Sequence, residues 1–153
     1  MYGYVKVGSA VPKLRVADCV YNKEEILKLV EAAAAKQVRV LSFPELSVTG
    51  YTCADLFFQT PLLHAAEQAI QEIAEATEAL NIFLLIGAPI AVDNQMFNCA
   101  VALYKGKLLG IVPKTHIPNY SEFYEERWFA SADDLLTEEI TYAGQNVPIG
   151  ADL

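Results

Sequence analysis

The sequence is short of positive charge: 11 Lys and Arg stand against 19 Asp and Glu, giving a net charge of −8. So acidic a chain repels phosphate backbones and anionic headgroups, which excludes nucleic acid as its main partner. Long hydrophobic runs are also missing. The longest, residues 82–92, is interrupted by Gly87 and Pro89 and falls far below the ~20 residues needed to cross a bilayer. No membrane association is expected. The opening Met1-Tyr2-Gly3-Tyr4-Val5-Lys6 lacks the basic start and apolar core of a secretion signal. Only three cysteines are present, Cys19, Cys53 and Cys99, and their spacing suggests neither a disulfide framework nor a zinc site. Together these absences lead to the expectation of a soluble, cytoplasmic protein. There is no glycine-rich phosphate loop and no serine-centred nucleophile elbow. His64 and His116 lie far apart and read as surface or structural residues.

What is present is apolar content: 54% of 153 residues, enough for one domain with a real core. No repeat, linker or low-complexity stretch divides the chain. Residues 4–7 and 14–17 read as short extended pieces. Asn22 followed by Glu25 has the form of a capping box opening a helix that runs to about Lys36 with Ile26, Val30 and Ala33 inward. Residues 38–43 read as a buried strand. Thr60-Pro61 opens a second helix, whose Leu63, Ala66, Ile70, Ile73 and Leu80 share one face. Residues 83–88 and 96–104 are strands, the latter with Phe97, Cys99, Val101 and Leu103 on one side. Lys105-Gly106 turns into a further strand at 107–112. Ile140-Thr141-Tyr142 adds a last short strand. The order predicts an α/β fold with a mixed sheet.

Two strand ends share a construction that points to chemistry. Phe43-Pro44-Glu45 and Val112-Pro113-Lys114 each stop an apolar strand with proline and follow it with a charge. Ligand sites of open α/β sheets gather beyond the carboxyl ends of strands. A carboxylate and an ammonium placed there can share one pocket and tune each other. After Lys114, the segment 120–129 interleaves Tyr120, Phe123, Tyr124, Trp128 and Phe129 with Glu122, Glu125, Glu126 and Arg127. A loop that aromatic is expected to be buried over a pocket or against a partner. Glu122, eight positions past Lys114, either reaches back to orient it or is an ordinary surface carboxylate.

The stretch Leu41-Ser42-Phe43-Pro44-Glu45-Leu46-Ser47-Val48-Thr49-Gly50-Tyr51 resembles the glutamate motif of the nitrilase (carbon–nitrogen hydrolase) superfamily. Pro113-Lys114-Thr115-His116-Ile117-Pro118-Asn119-Tyr120 resembles its lysine motif, and the 69-residue separation of Glu45 and Lys114 fits. The continuations Tyr51-Thr52-Cys53-Ala54-Asp55-Leu56-Phe57 and 119–129 are similar to the glutaminase domain of glutamine-dependent NAD synthetases. This resemblance implies a partial four-layer α-β-β-α sandwich, supplied here as a single incomplete domain over 1–153, with the C-terminal synthetase domain absent. It implies glutamine as substrate, hydrolysed through a cysteine thioester to supply ammonia for NAD synthesis from deamido-NAD. Glu45 would take the thiol proton, Lys114 would stabilise the oxyanion, Glu122 would orient the catalytic groups, and Tyr120 and Phe123 would line the substrate pocket. ATP, Mg and deamido-NAD would belong to the absent synthetase domain, with no cofactor in this chain. A homo-oligomeric parent protein is expected.

The chemistry is independently sound, because a thiol needs a base or a nearby cation to be a good nucleophile at neutral pH, and an ammonium can stabilise developing negative charge. The family's nucleophilic cysteine follows the lysine motif, and no cysteine follows Cys99. Cys53 reads as packing, Cys99 as core, and Cys19 has no charged activator beyond Asp18. The chain alone is therefore expected to be inactive and to expose strand edges and apolar faces. Two alternatives remain open at this point: a truncated stand-alone nitrilase-like amidase, which the two continuations disfavour, and a non-catalytic scaffold that retains the fold.

Overall fold

The computed structural model describes residues 3–153; Met1 and Tyr2, which begin the stretch read as having no leader features, lie outside them. Five strands, β1 (Val7–Ser9), β2 (Val40–Ser42), β3 (Phe83–Val92), β4 (Gln95–Tyr104) and β5 (Lys107–Pro113), form one sheet in that spatial order. The first three run parallel, and β4 and β5 are antiparallel to their neighbours. The mixed α/β sheet expected from the sequence is present.

Helix α1 (Cys19–Ala35) joins β1 to β2, and α2 (Thr60–Ala76) joins β2 to β3. Right-handed crossovers moving across the sheet in one direction put both helices on the same face, and they pack against each other, with Lys23 paired to Glu72. Under them lie Leu84, Ile86, Phe97, Val101, Leu103 and Ile111, all buried. The alternate positions Phe83, Leu85, Ala102, Tyr104 and Val112 are only half-buried, so the opposite face of the sheet is open. That alternation follows from the two-residue period of a strand. Among the described residues no helix is long and apolar enough to cross a membrane.

Three two-residue hairpin loops close the antiparallel region. Asp93-Asn94, Lys105-Gly106 and Ala143-Gly144 each have positive φ at both positions, as the type I′ turn that suits twisted strands requires. The middle one was legible. The first was not, so β3 and β4 run past their expected ends to Val92 and Gln95. The third joins β6 (Glu139–Tyr142) to β7 (Gln145–Pro148), and Ile149 bridges onto Ile111 of β5.

Several local expectations are corrected. Asp18, not Asn22, caps α1, accepting from the Tyr21 amide at 3.0 Å. Asn22 is fully buried one turn inside the helix. Its amide bridges Arg15 and Val48, accepting from Arg15 N at 2.8 Å and donating to Arg15 O at 2.8 Å and Val48 O at 2.9 Å. Buried polar demand outweighs the capping pattern here. Residues 14–17 are therefore a loop pinned by Asn22 rather than a strand, and β1 is shifted to Val7–Ser9. Gln59, not Thr60, caps α2, and the helix's buried face is Leu62, Ala66, Ala69, Ile70, Ile73 and Ala74; Leu63 is only half-buried, and Leu80 lies beyond the helix, which ends at Ala76.

Candidate active site

Beyond the end of β2 the chain turns sharply over the sheet. Pro44 stops ladder pairing, Leu46 takes a positive φ of 51°, and the amides of Thr49 and Gly50 fold back onto Leu46 O. Val48 N donates to Gly87 O of β3 at 3.1 Å. The turn lies so close to β3 that a Cβ at Gly87 would sit 2.3 Å from Leu46 N and 2.8 Å from the Glu45 carbonyl carbon. Gly87 is thus the seat of the Glu45 turn. Asn22 braces the same turn from α1 through Val48 O.

At the end of β5, Lys114 N donates to Asn98 O of β4 at 2.8 Å, extending the ladder by one bond. The Lys114 side chain then meets two carboxylates, Glu45 Oε1 at 2.7 Å and Glu125 Oε2 at 2.9 Å. The matched strand-end charges form one ion-paired cluster. Asn98 Nδ2 donates to Glu45 Oε1 at 2.5 Å, and Tyr51 Oη donates to Glu125 Oε1 at 2.5 Å. The side chain of Glu125 is 3% exposed against 40% for Glu45, so the two carboxylates sit in different surroundings. Burial works against the Lys114 ammonium, but the hydrogen bonds it donates to Glu45 and Glu125 outweigh it and its pKa lies above the ordinary lysine value. Burial, reinforced by the bond to Glu125, raises the Tyr51 phenol, which therefore stays a donor.

The carboxylate that faces Lys114 besides Glu45 is Glu125, not Glu122. The reason lies in the loop's path. The 3₁₀ turn Glu125–Arg127 is held down where Glu125 N donates to Pro118 O and Glu125 O accepts from Phe129 N, while the 121–122 segment swings outward. Glu122 is exposed and lines the outer side of a small cavity of about 210 Å³ that Tyr51, Phe123, Tyr124, Trp128 and the buried Glu125 also line. Tyr120 is 68% exposed and packs edge-on against Phe123. Nothing in the residue spacing distinguished Glu125 from Glu122; its burial beside Trp128 and Phe129 is what separates them.

The aromatic loop packs against the 3₁₀ turn Ala54–Phe58. Asp55 accepts from Arg127 Nε and Nη2, each at 2.7 Å, and from Trp128 Nε1 at 3.0 Å. Phe57 meets Trp128 and Phe129 edge-on. The two continuations picked out in the sequence therefore form one unit, with Glu125 at its inner end. Asp55 is held well below the usual carboxylate range, first by its bonds to Arg127 and Trp128.

On the open face, a cavity of about 340 Å³ runs from Phe43, Pro44 and Glu45 across Leu85, Gly87 and Ala100 to Val112 and Lys114. Two of the three ammonium donors of Lys114 are committed, leaving one for an incoming oxygen. None of the three thiols is set up as a nucleophile. Cys19, Cys53 and Cys99 are all buried, and burial pushes their pKa values upward, that of Cys19 to about 11. Cys53 donates to Thr49 O and Gly50 O, so it staples the Glu45 turn. His64 and His116 are exposed and apart from this cluster.

The carbon–nitrogen hydrolase family model matches residues 6–151. The chain is 36% identical over 151 residues to a glutamine-dependent NAD(+) synthetase of Mycobacterium leprae, covering 99% of this chain and 22% of that protein. It is 34% identical over 125 residues to the enzyme of the same name from Aquifex aeolicus, again covering 22% of it. The crystal structure of a glutamine-dependent NAD(+) synthetase from Cytophaga hutchinsonii superposes with a TM-score of 0.88 at 29% identity, over 95% of this chain and 25% of that one. An amidase from Nesterenkonia sp. shares the fold at a TM-score of 0.66 and 19% identity. The chain thus spans about 22% of the length of the curated relatives it matches.

Proposed function

Because the chain belongs to the carbon–nitrogen hydrolase family, we propose that it supplies the base and the oxyanion-binding cation of a glutaminase. That glutaminase releases ammonia from glutamine for the synthesis of NAD from deamido-NAD, and the chain is the N-terminal part of its domain. The observation that carries this reading is the Glu45–Lys114–Glu125 cluster. A carboxylate with an open oxygen stands beside an ammonium with a spare donor, at the mouth of a cavity on the open sheet face.

In this reading a cysteine thiol from outside these residues gives its proton to Glu45 as its sulfur attacks the amide carbon. The carbonyl oxygen takes up negative charge facing Lys114. Collapse of the tetrahedral species returns the proton to nitrogen and expels ammonia, leaving a thioester. Water, activated by the same carboxylate, then frees glutamate. Glu125, locked by Tyr51, holds the Lys114 ammonium on target. A fixed cation facing the oxyanion is worth about 10²–10³ in rate where single donors of this kind have been removed. Phe123 and the Tyr120 ring beside it border the approach to the site.

In this reading the nucleophile lies outside the 153 residues, whose three thiols are buried, so these residues alone do not turn over glutamine. ATP, magnesium and deamido-NAD belong to a synthetase part outside them; two carboxylates around one ammonium offer no donor set for a triphosphate. The parent protein is a cytoplasmic homo-oligomer. An electrophilic chloroketone analogue of glutamine tests the reading by peptide mapping in a protein of the relatives' length. A modified cysteine outside residues 1–153 is expected, and modification at Cys19, Cys53 or Cys99 would overturn it.

A further inference from the structure

Glu45 has two oxygens, and the structure treats them differently. Oε1 accepts both Asn98 Nδ2 at 2.5 Å and Lys114 Nζ at 2.7 Å, whereas Oε2 has no hydrogen-bond donor among the described residues. Asn98 is 3% exposed and lies in the middle of β4, between inward-facing Phe97 and Cys99, with its own side chain on the open face beside the Glu45 turn. Its backbone carbonyl receives the amide of Lys114 at 2.8 Å. One residue therefore holds the carboxylate by its side chain and the lysine by its main chain.

We propose that Asn98 is a positioning residue for the amide-hydrolysing centre: it saturates Glu45 Oε1 and leaves Oε2 as the only oxygen free to take a proton from the nucleophile. This rests on the reading of Glu45 as the base. A carboxylate free to rotate could turn either oxygen toward Lys114 and lose its proton-accepting face to the ion pair. With Asn98 in place that exchange would break a part-buried hydrogen bond to the carboxylate. The amide is suited to the task because it stays uncharged while donating, so it fixes the carboxylate without adding a second cation beside Lys114. An aspartate of the same shape would set a like charge against Oε1 and favour the protonated form of the base.

Two variants test this in a protein of the relatives' length. Asn98→Asp keeps the volume and is expected to move the acidic limb of the kcat/KM profile for glutamine upward by about one pH unit or more. Asn98→Leu removes the donor and is expected to lower kcat about 10- to 100-fold, the scale of one lost hydrogen bond to a charged group. The KM for glutamine and ammonia-driven synthesis should stay within twofold. Carboxyl-carbon NMR of Glu45 in the 153-residue chain reads the same shift without activity: Asn98→Asp should raise its titration midpoint. An unmoved acidic limb and an unmoved carboxyl midpoint in folded Asn98→Asp would overturn the proposal. If Glu45→Gln retains full activity, the base reading fails instead, a separate result that the carboxyl titration distinguishes.

Discussion

Gly87 and Glu45 are in direct backbone contact: the place where a side chain would begin on Gly87 lies 2.8 Å from the carbonyl carbon of Glu45 and 2.3 Å from the next amide nitrogen. The carboxylate's position is thus set by the absence of an atom on the neighbouring strand. Gly87→Ala should push the turn off β3, cost about 1–3 kcal/mol by overpacking, and pull Glu45 away from Lys114. Denaturant midpoints of the 153-residue chain check the first effect. Glutamine-driven turnover in the longer protein, falling at least tenfold, checks the second.

Lys114 neutralises a buried carboxylate. Lys114→Met strands Glu125, which is 3% exposed, with only Tyr51 for company. Removing one partner of a buried ion pair costs about 3–5 kcal/mol; with Lys114 itself 28% exposed, the low end is expected. Glu125→Gln in the same chain should restore much of that loss. A double-mutant cycle by chemical denaturation measures it, and a coupling near zero would mean the pair is worth little.

The raised Lys114 pKa has a pH consequence. Its folded-state value lies above the ordinary 10.5 because its bonds to Glu45 and Glu125 outweigh burial. Its contribution to stability is therefore complete below about 10.5 and is lost as pH rises through the folded value. The stability difference between wild type and Lys114→Met should be level from pH 7 to about 10 and shrink above that. Titrating denaturation midpoints from pH 7 to 11.5 checks this.

Asn22 distinguishes a cap from a bridge. Losing an N-cap costs about 1 kcal/mol and serine substitutes for asparagine. A fully buried amide with three hydrogen bonds to Arg15 and Val48 should cost about 2–4 kcal/mol as Asn22→Ala, and serine should not rescue it. Asp18→Ala, by contrast, should show the modest loss of a true cap. Thermal melts of the three variants rank them.

What could be read from the sequence followed how local its cause was. The Lys105-Gly106 hairpin, the two helices and the strand-end charges have their signals within a few residues, and all are present. Asn22 was misread as a cap and Glu125 was not singled out, because their contacts depend on partners 26 and 11 positions away, Val48 and Lys114. Asn98 was not picked out at all: in sequence it is one polar residue in an apolar strand. The signal that could have found it is that strand itself, since a polar side chain at a buried strand position needs a partner. The three-dimensional joining of Asp55 to Arg127 and Trp128 was foreshadowed only in that both segments carried the same resemblance.

The most direct test of the proposed glutaminase is the nitrogen donor. Glu45→Gln and Lys114→Met, made separately in a protein of the relatives' length, should each lower glutamine-driven NAD synthesis by about 10² or more, the scale of a lost base or oxyanion donor. Ammonia-driven synthesis should stay within about twofold of wild type. Equal loss with both donors would contradict the account, because these residues would then serve folding or the synthetase step rather than the release of ammonia.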